Sequence, residues 1–209
     1  MDTNVTRTSS ARERAAVVRI VDQSDIRNKC DLLFATFQEV LRLRYNAINT
    51  RMVHEDTLLD ERVLLKKGSM VVIPARCTNR EKAVWGPTGN SFDPYRFLTH
   101  GRNGTLRSSH NTMRAAFQSF GTAPSICPGR HFATGEILAV VAMVILRFDM
   151  EPLLGKWIAP KANAKMLASS MQTPTGQFMV NLRARNEFEH DEWEFRMAES
   201  GARFPLLVG

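Results

Sequence analysis

The fold is decided by the stretch Phe120-Gly121-Thr122-Ala123-Pro124-Ser125-Ile126-Cys127-Pro128-Gly129-Arg130. Glycine and proline punctuate it as far as the cysteine, which reads as a loop. Pro128 then stands where a helix opens, because the missing N–H of proline has no partner to lose in a first turn. From there to about Leu146 the residues are largely apolar, unbroken from Ile137 to Leu146, and predict a long buried helix. Cys127 therefore lies at a helix N-terminus, where about half a positive charge favours an anion and lowers the pKa of a thiol. The backbone N–H groups of Arg130 and its neighbours are placed to hydrogen-bond a thiolate and tune its basicity.

Three readings of Cys127 follow. It can be an inert thiol packed like a small hydrophobe. It can be a nucleophile with His131 as its base, although nothing in the sequence orients that imidazole. It can be the thiolate ligand of a haem iron, which needs a loop that holds one sulfur outward and an aromatic residue beside it, a place Phe120 fills.

Upstream, Asp31 to Arg44 predicts a second strong helix with Leu33, Phe37, Val40 and Leu41 on one face. Leu32, Thr36 and Leu43 form another stripe, and Glu39 projects into it with Arg42 one turn further on. A carboxylate within an apolar surface needs a partner; a surface ion pair is the alternative. Ser10-Ala11-Arg12-Glu13 has the form of a capping box and predicts a short helix to about Val21, followed by a polar connector from Asp22 to Asn28. Asn46–Val53, Arg62–Leu65 and Met70–Pro74 predict a small antiparallel sheet, with Lys66-Lys67-Gly68 as a turn. Ala75 to Val84 reads as a short helix, Trp85 to Gly129 as one long irregular stretch, Phe148–Leu153 and Gln177–Leu182 as strands, and Trp193 to Met197 as a hairpin-like tail.

Composition narrows the classes. The 209 residues are 44% hydrophobic and 23% charged, which suits a folded domain. The longest apolar run falls short of the ~18 residues of a membrane span, so no membrane anchor is expected in this chain, and the start has no apolar stretch of a secretory signal. Three cysteines without a C-x-x-C pair exclude a disulfide framework and a cysteine-rich zinc site. The net charge of +7 is spread along the chain rather than gathered on one face, so no nucleic acid is expected as a partner; an acidic protein is the milder expectation.

Phe120…Cys127-Pro128-Gly129 resembles the haem-binding loop of the cytochrome P-450 monooxygenases, F-x-x-G-x-x-x-C-x-G. Glu39-Val40-Leu41-Arg42 resembles the E-x-x-R helix of that family, and Phe92-Asp93-Pro94-Tyr95-Arg96-Phe97 its arginine-bearing motif, in the family's order. The resemblance runs from about Asp31 to Gly209, with residues 1–30 outside it. It implies a mainly α fold with small antiparallel β-sheets (α+β), the C-terminal portion of the cytochrome P-450 fold. The ending from Trp193 to Gly209 looks like that of filamentous-fungal members, and the loop resembles the branch that contains steroid hydroxylases and prostacyclin synthase. Resemblance further implies heme b (iron protoporphyrin IX) held by Cys127 as axial ligand, with Phe120, Gly129 and Arg51 about it. Glu39, Arg42 and Arg96 become a structural triad, one carboxylate clasped by two guanidiniums. Ala47, Ile48 and Asn49, together with Ser170 and Met171 in the segment from Ala168 to Gln172, match pocket-lining segments. The implied reaction inserts one oxygen atom from O2 into a small apolar organic substrate (sterol, fatty acid and secondary metabolite all remain open) with electrons from an NADPH-cytochrome reductase. Arg76, Arg80, Lys82, Arg102, Arg107 and Arg130 are candidates to face that reductase.

Departures from the pattern carry expectations of their own. The loop glycine before the cysteine is Ala123, which predicts strain if that position needs a positive φ or a close backbone approach. The arginine that often binds a haem propionate is Ser125, and Arg51 stands where the sheet can replace it. Family members are far longer, with a membrane anchor and an oxygen-activating helix upstream and an endoplasmic reticulum location. The chain is therefore expected to be truncated, to hold haem weakly on its own and not to oxygenate, with the helices after Asp31 and through Ile137–Leu146 short of packing. A non-catalytic haem-binding or interaction relic of the same fold is the alternative.

Overall fold

A computed structural model describes residues 17–98, 107–163, 170–188, 191–197 and 203–207. The first described element is a strand, β1 (Val18–Asp22), where the capping box predicts the end of a helix; residues 1–16 lie outside the described set. The β-branched run from Val17 to Val21 finds a partner strand far along the chain, and pairing overrides the local signal. Asp22 then caps a helix, α1 (Gln23–Lys29), by accepting from the Ser24 N–H at 2.7 Å, so the expected connector is helical. Its carboxyl is held below the ordinary aspartate value by the Ser24 hydroxyl and N–H.

The helix from Asp31 has the bounds that its periodicity predicts, α2 (Asp31–Arg44). Its buried face is rotated from the expected one: Val40 is exposed, and Phe34, Gln38, Glu39 and Arg42 are buried instead. Gln38 faces inward because its Oε1 accepts the Leu207 N–H at 2.9 Å, and Phe34 stacks on Phe204 at 5.7 Å. The C-terminal residues thus cover α2, which is already packed within this chain.

Four strands follow, β2 (Ile48–Met52), β3 (Thr57–Leu59), β4 (Val63–Leu65) and β5 (Met70–Pro74). They do not form one sheet. β2 pairs antiparallel with β5, Ile48 opposite Pro74, and β3 pairs antiparallel with β4 as a separate ribbon. Two single-turn helices, α3 (Ala75–Thr78) and α4 (Lys82–Trp85), replace the expected short helix. The long stretch read as irregular contains a 3-10 turn (Pro94–Phe97) and a further helix, α5 (Arg107–Ala116). α6 (Arg130–Arg147) is the long apolar helix. After it β6 (Phe148–Pro152) pairs antiparallel with β7 (Val180–Ala184), and β8 (Glu192–Arg196) pairs parallel with β1, Val18 opposite Glu192. The expected tail hairpin is thus one strand of a parallel pair. Helices and small sheets, all antiparallel but this one, make the chain α+β.

One core joins these elements: Ile26, Phe34, Phe37, Leu41, Trp85, Phe117, Leu138, Phe204 and Leu207 are buried together. It positions the cysteine loop, since Phe117 sits just ahead of the loop and Leu138 just beyond the helix turn that follows it. α6 uses only one side for this. Thr134, Gly135, Leu138, Ala139 and Ala142 are buried, while Phe132, Ile137, Val140, Ile145 and Leu146 are exposed.

Candidate haem-thiolate site

Glu39 and Arg42 have fully buried side chains, and the structure brings Arg96 onto the same carboxylate. Arg42 Nε donates to Glu39 Oε2 at 2.7 Å and its Nη2 to Oε1 at 2.8 Å, a bidentate fork. The other guanidinium N–H groups reach the carbonyls of Asn79 and Gly89 at 2.5 and 2.6 Å and of Ser91 at 3.2 Å. Its five donors thus meet five acceptors. Glu39 Oε1 also accepts the Asp93 N–H at 2.9 Å and Arg96 Nε at 3.1 Å. Arg96 continues to the carbonyls of Trp85, Thr88 and Ser91, each at 3.3 Å. The cluster therefore ties α2 to the chain between α3 and the 3-10 turn through backbone carbonyls that accept from the two guanidiniums. Close packing explains one glycine: a Cβ on Gly89 would lie 2.9 Å from the Arg80 carbonyl oxygen.

The cysteine loop leaves this frame after Phe117. Gly121 carries the positive φ, +83°, and a Cβ there would fall 2.6 Å from the Ser125 carbonyl oxygen. Ala123 has no positive φ, so that source of strain does not arise there; the loop's positive φ is at Gly121 instead. Arg51 on β2 bonds the loop directly, through Nη2 to Thr122 Oγ1 at 2.7 Å and to the Thr122 carbonyl at 3.1 Å. Asn49 on the same strand donates to Gln118 Oε1 at 2.6 Å. Sheet and loop are thus stitched together by two polar side chains.

Cys127 is exposed, so the reading of an inert packed thiol fails. Its own N–H donates to the Phe120 carbonyl at 2.8 Å, which closes the loop and sets Phe120 at its base, half-buried against the core. Gly129 caps α6 with no side-chain hydrogen bond, leaving the first-turn N–H groups near the sulfur without a side-chain acceptor. A Cβ on Gly129 would stand 4.0 Å from Cys127 Sγ, so glycine keeps that flank of the sulfur clear. Arg130 turns back to donate to the Cys127 carbonyl at 2.9 Å. The nucleophile reading lacks its contact: His131 Nδ1 is buried without a hydrogen-bond partner and so does not bond Cys127, while burial, then Arg130 and Arg203, push the imidazole pKa down. Tyr45 at the end of α2 lies within electrostatic reach; burial raises its pKa, and the charge of Cys127 adds to the rise.

Ala47, Ile48 and Asn49 are brought beside Ser170 and Met171. The Asn46 N–H donates to the Ser170 carbonyl at 2.8 Å, and Tyr45 and Met171 form an antiparallel bridge. Ala168 lies outside the described residues, as do Arg102 and the side chain of Arg107. Arg80 is not a surface cation: its Nη2 donates to the Leu43 carbonyl at 2.6 Å, and burial lowers its pKa. Sequence reasoning missed Asn79 and Gln118, buried polar residues next to the loop; Asn79 lies in the segment read as a short helix and Gln118 in the stretch read as irregular, and neither belongs to a motif.

A metal at Cys127 would find one soft donor. Among the described residues no three His, Cys, Asp or Glu side chains gather around a common point. A single outward thiolate at a helix N-terminus suits an ion whose remaining ligands come from a macrocycle, and so fits an iron porphyrin. That defines a haem-thiolate class of protein. The family model for cytochrome P450 matches residues 11–180. The chain is 70% identical over 193 residues to the cytochrome P450 monooxygenase nodJ of Hypoxylon pulicicidum, covering 92% of this chain and 38% of that protein. It is 33% identical over 186 residues to a cytochrome P450 monooxygenase of Gibberella zeae (84% and 35%), and 29% identical over 174 residues to cytochrome P450 86B1 of Arabidopsis thaliana (83% and 29%). This chain belongs to the cytochrome P450 family, and it spans well under half the length of these relatives.

Proposed function

We propose that these residues form the haem-thiolate portion of a monooxygenase that inserts one oxygen atom from O2 into a small apolar organic substrate. Heme b is the cofactor, and an NADPH-cytochrome reductase supplies the electrons. The observation that carries the reading is the exposed Cys127 thiol at the uncapped start of α6. Cys127 would hold the iron, with Phe120 beneath the loop, Gly129 keeping the sulfur accessible and Arg51 bracing the loop from β2. Bound there, haem supplies oxygen activation, which electron donation from a thiolate favours. Glu39, Arg42 and Arg96 keep the loop's foundation rigid and touch neither cofactor nor substrate. Ala47, Ile48, Asn49, Ser170 and Met171 would present a surface to the substrate. The setting carried over with this reading is the endoplasmic reticulum membrane of full-length members; no helix among the described residues is long and apolar enough to cross one.

A second reading, a haem-binding or interaction module without turnover, draws on the exposed apolar side of α6. The reduced carbon-monoxide spectrum of the chain reconstituted with haemin tests thiolate ligation. A strongly red-shifted Soret band is expected, weakly populated for the 209 residues alone. Cys127→Ala should remove that shift while leaving the thermal midpoint unchanged, because the side chain is exposed. An unshifted wild-type band defeats the first reading and the haem-binding form of the second; a shifted band without turnover in the presence of reductase selects the second.

A further inference from the structure

Past β6 the chain doubles back on itself as a bent ribbon. The Leu153 N–H donates to the Met179 carbonyl at 3.1 Å. Further out, Asn163 N–H meets the Thr173 carbonyl and Thr175 N–H the Lys161 carbonyl, both at 2.8 Å. Between these rungs the ribbon curves around a cavity of about 420 Å3 lined from Pro152 to Lys161 and from Thr175 to Met179. One local stretch supplies the whole lining. Along it Leu154 is 85% exposed and Trp157 and Ile158 are each 62% exposed, with Leu153 and Met179 more than half exposed. Trp157 is not loose; it packs on Phe178 with ring centroids 5.6 Å apart. Large apolar side chains concentrated on one loop mark an interaction site.

Charge selects the occupant. From Pro152 to Asn186 the sequence holds no Asp or Glu, but it holds Lys156, Lys161, Lys165, Arg183 and Arg185. Lys156 and Lys161 line the same cavity rim as the exposed apolar residues. An indole beside Leu and Ile, bordered by lysines and free of carboxylates, matches the boundary of an anionic bilayer. There the ring sits at headgroup depth, aliphatic side chains lie below it, and ammonium groups extend to phosphates. The other apolar groove, between α6, α1 and β8, differs: Glu136 is part of its lining, which anionic lipid would repel.

We propose that the loop from Leu153 to Pro160, with Phe178 and Met179 beside it, is a bilayer-contact site. Leu154, Trp157 and Ile158 enter the interface of an anionic membrane, and Lys156 and Lys161 meet its headgroups. The proposal adds a contact surface to the membrane setting of the reading above, and it is independent of haem.

Co-sedimentation of the 209-residue chain with vesicles tests it, using phosphatidylcholine with and without phosphatidylserine, alongside tryptophan fluorescence. Binding is expected on both and tighter with phosphatidylserine, with a blue shift that Trp157→Phe removes. The double variant Leu154→Asp/Trp157→Asp should lose more than about tenfold in affinity, since it removes the two largest inserted groups. Lys156→Gln and Lys161→Gln should each lose about fivefold on phosphatidylserine vesicles and little on phosphatidylcholine. All these side chains are exposed, so the melting temperature should hold. Val140→Glu on α6 should bind as wild type. No vesicle binding by the wild type overturns the proposal. So does equal binding by the double Asp variant, and so does loss of binding through Val140→Glu alone, which would place the adhesion on α6. None of these readouts needs haem, so failure here leaves the Soret test standing, and the reverse holds too.

Discussion

The interior around Glu39 and the outer side of α6 sit in the same small fold and obey opposite logic. Around Glu39 a buried carboxylate is clasped by the fully buried Arg42 and the mostly buried Arg96, and both guanidiniums also donate to nearby carbonyls. Along α6, Val140 is 59% exposed with Phe132, Ile137, Ile145 and Leu146 open as well. The first region is complete within residues of this chain, whereas the second has an apolar surface that the described residues leave exposed. Self-sufficiency is therefore a property of the frame that holds the cysteine loop, and the surface above α6 is where the fold calls for more. The expectation of missing packing holds in different degree on the two helices: on α2 Phe34 and Gln38 are met by Phe204 and Leu207 while Leu32 and Val40 are exposed, and on α6 a longer apolar row is exposed.

The sharpest way to break this contrast is to unbalance the buried cluster. Glu39→Gln leaves Arg42 and Arg96 facing each other without a counter-charge in a site closed to water. Removing one partner of a buried pair costs about 3–5 kcal/mol, a large part of the ~5–15 kcal/mol that holds a domain. A fall of that size in unfolding free energy, read from urea titration, is the expected outcome. A loss under about 1 kcal/mol would mean that water reaches the guanidiniums, and the region would no longer count as closed.

Gly121 offers an intermediate effect, at the joint between frame and site. Alanine there must hold a φ of +83° and bring a Cβ within 2.6 Å of the Ser125 carbonyl oxygen, which is backbone and cannot swing aside. A cost of about 1–3 kcal/mol is expected, with weakened haem uptake because the loop that presents Cys127 must shift. By contrast Gly129→Ala meets only the sulfur at 4.0 Å and should change haem uptake more than stability. Equal unfolding curves for Gly121→Ala and wild type would show that the loop is not held as described.

How much of this was readable beforehand follows the range of each interaction. α2 was legible to the residue because its apolar period is local, and the order of the Glu39, Arg96 and Cys127 motifs pointed to the family. Which face α2 buries was not legible: Gln38 is polar by identity and interior only because Leu207 arrives from the far end of the chain. β1 read as a helix end because the capping box is local, whereas its partner β8 lies at the other end of the sequence. α5 escaped notice since Arg107–Ala116 is polar almost throughout, and only Met113 and Ala116 among its described side chains reach the core. Ala123 shows the converse error, a family position read as a conformational demand that the loop meets at Gly121.

The smallest expected effect bears on the open side of α6. Val140→Glu places a carboxylate on a helix surface that contacts solvent, and exchanges a β-branched residue for a better helix former. If nothing covers that surface in the 209-residue chain, unfolding free energy should stay within about 0.5 kcal/mol of wild type. The chain's tendency to associate should fall, since the substitution interrupts the apolar groove of about 510 Å3 that Phe132, Ala139, Val140, Met143 and Val144 line with Phe195 and Met197. Unfolding at two protein concentrations separates the cases. A concentration-dependent midpoint in wild type that becomes independent in Val140→Glu would show copies of the chain shielding each other's α6. A loss of more than about 1 kcal/mol at every concentration would mean the side is packed inside the monomer, and the contrast with the Glu39 interior would collapse.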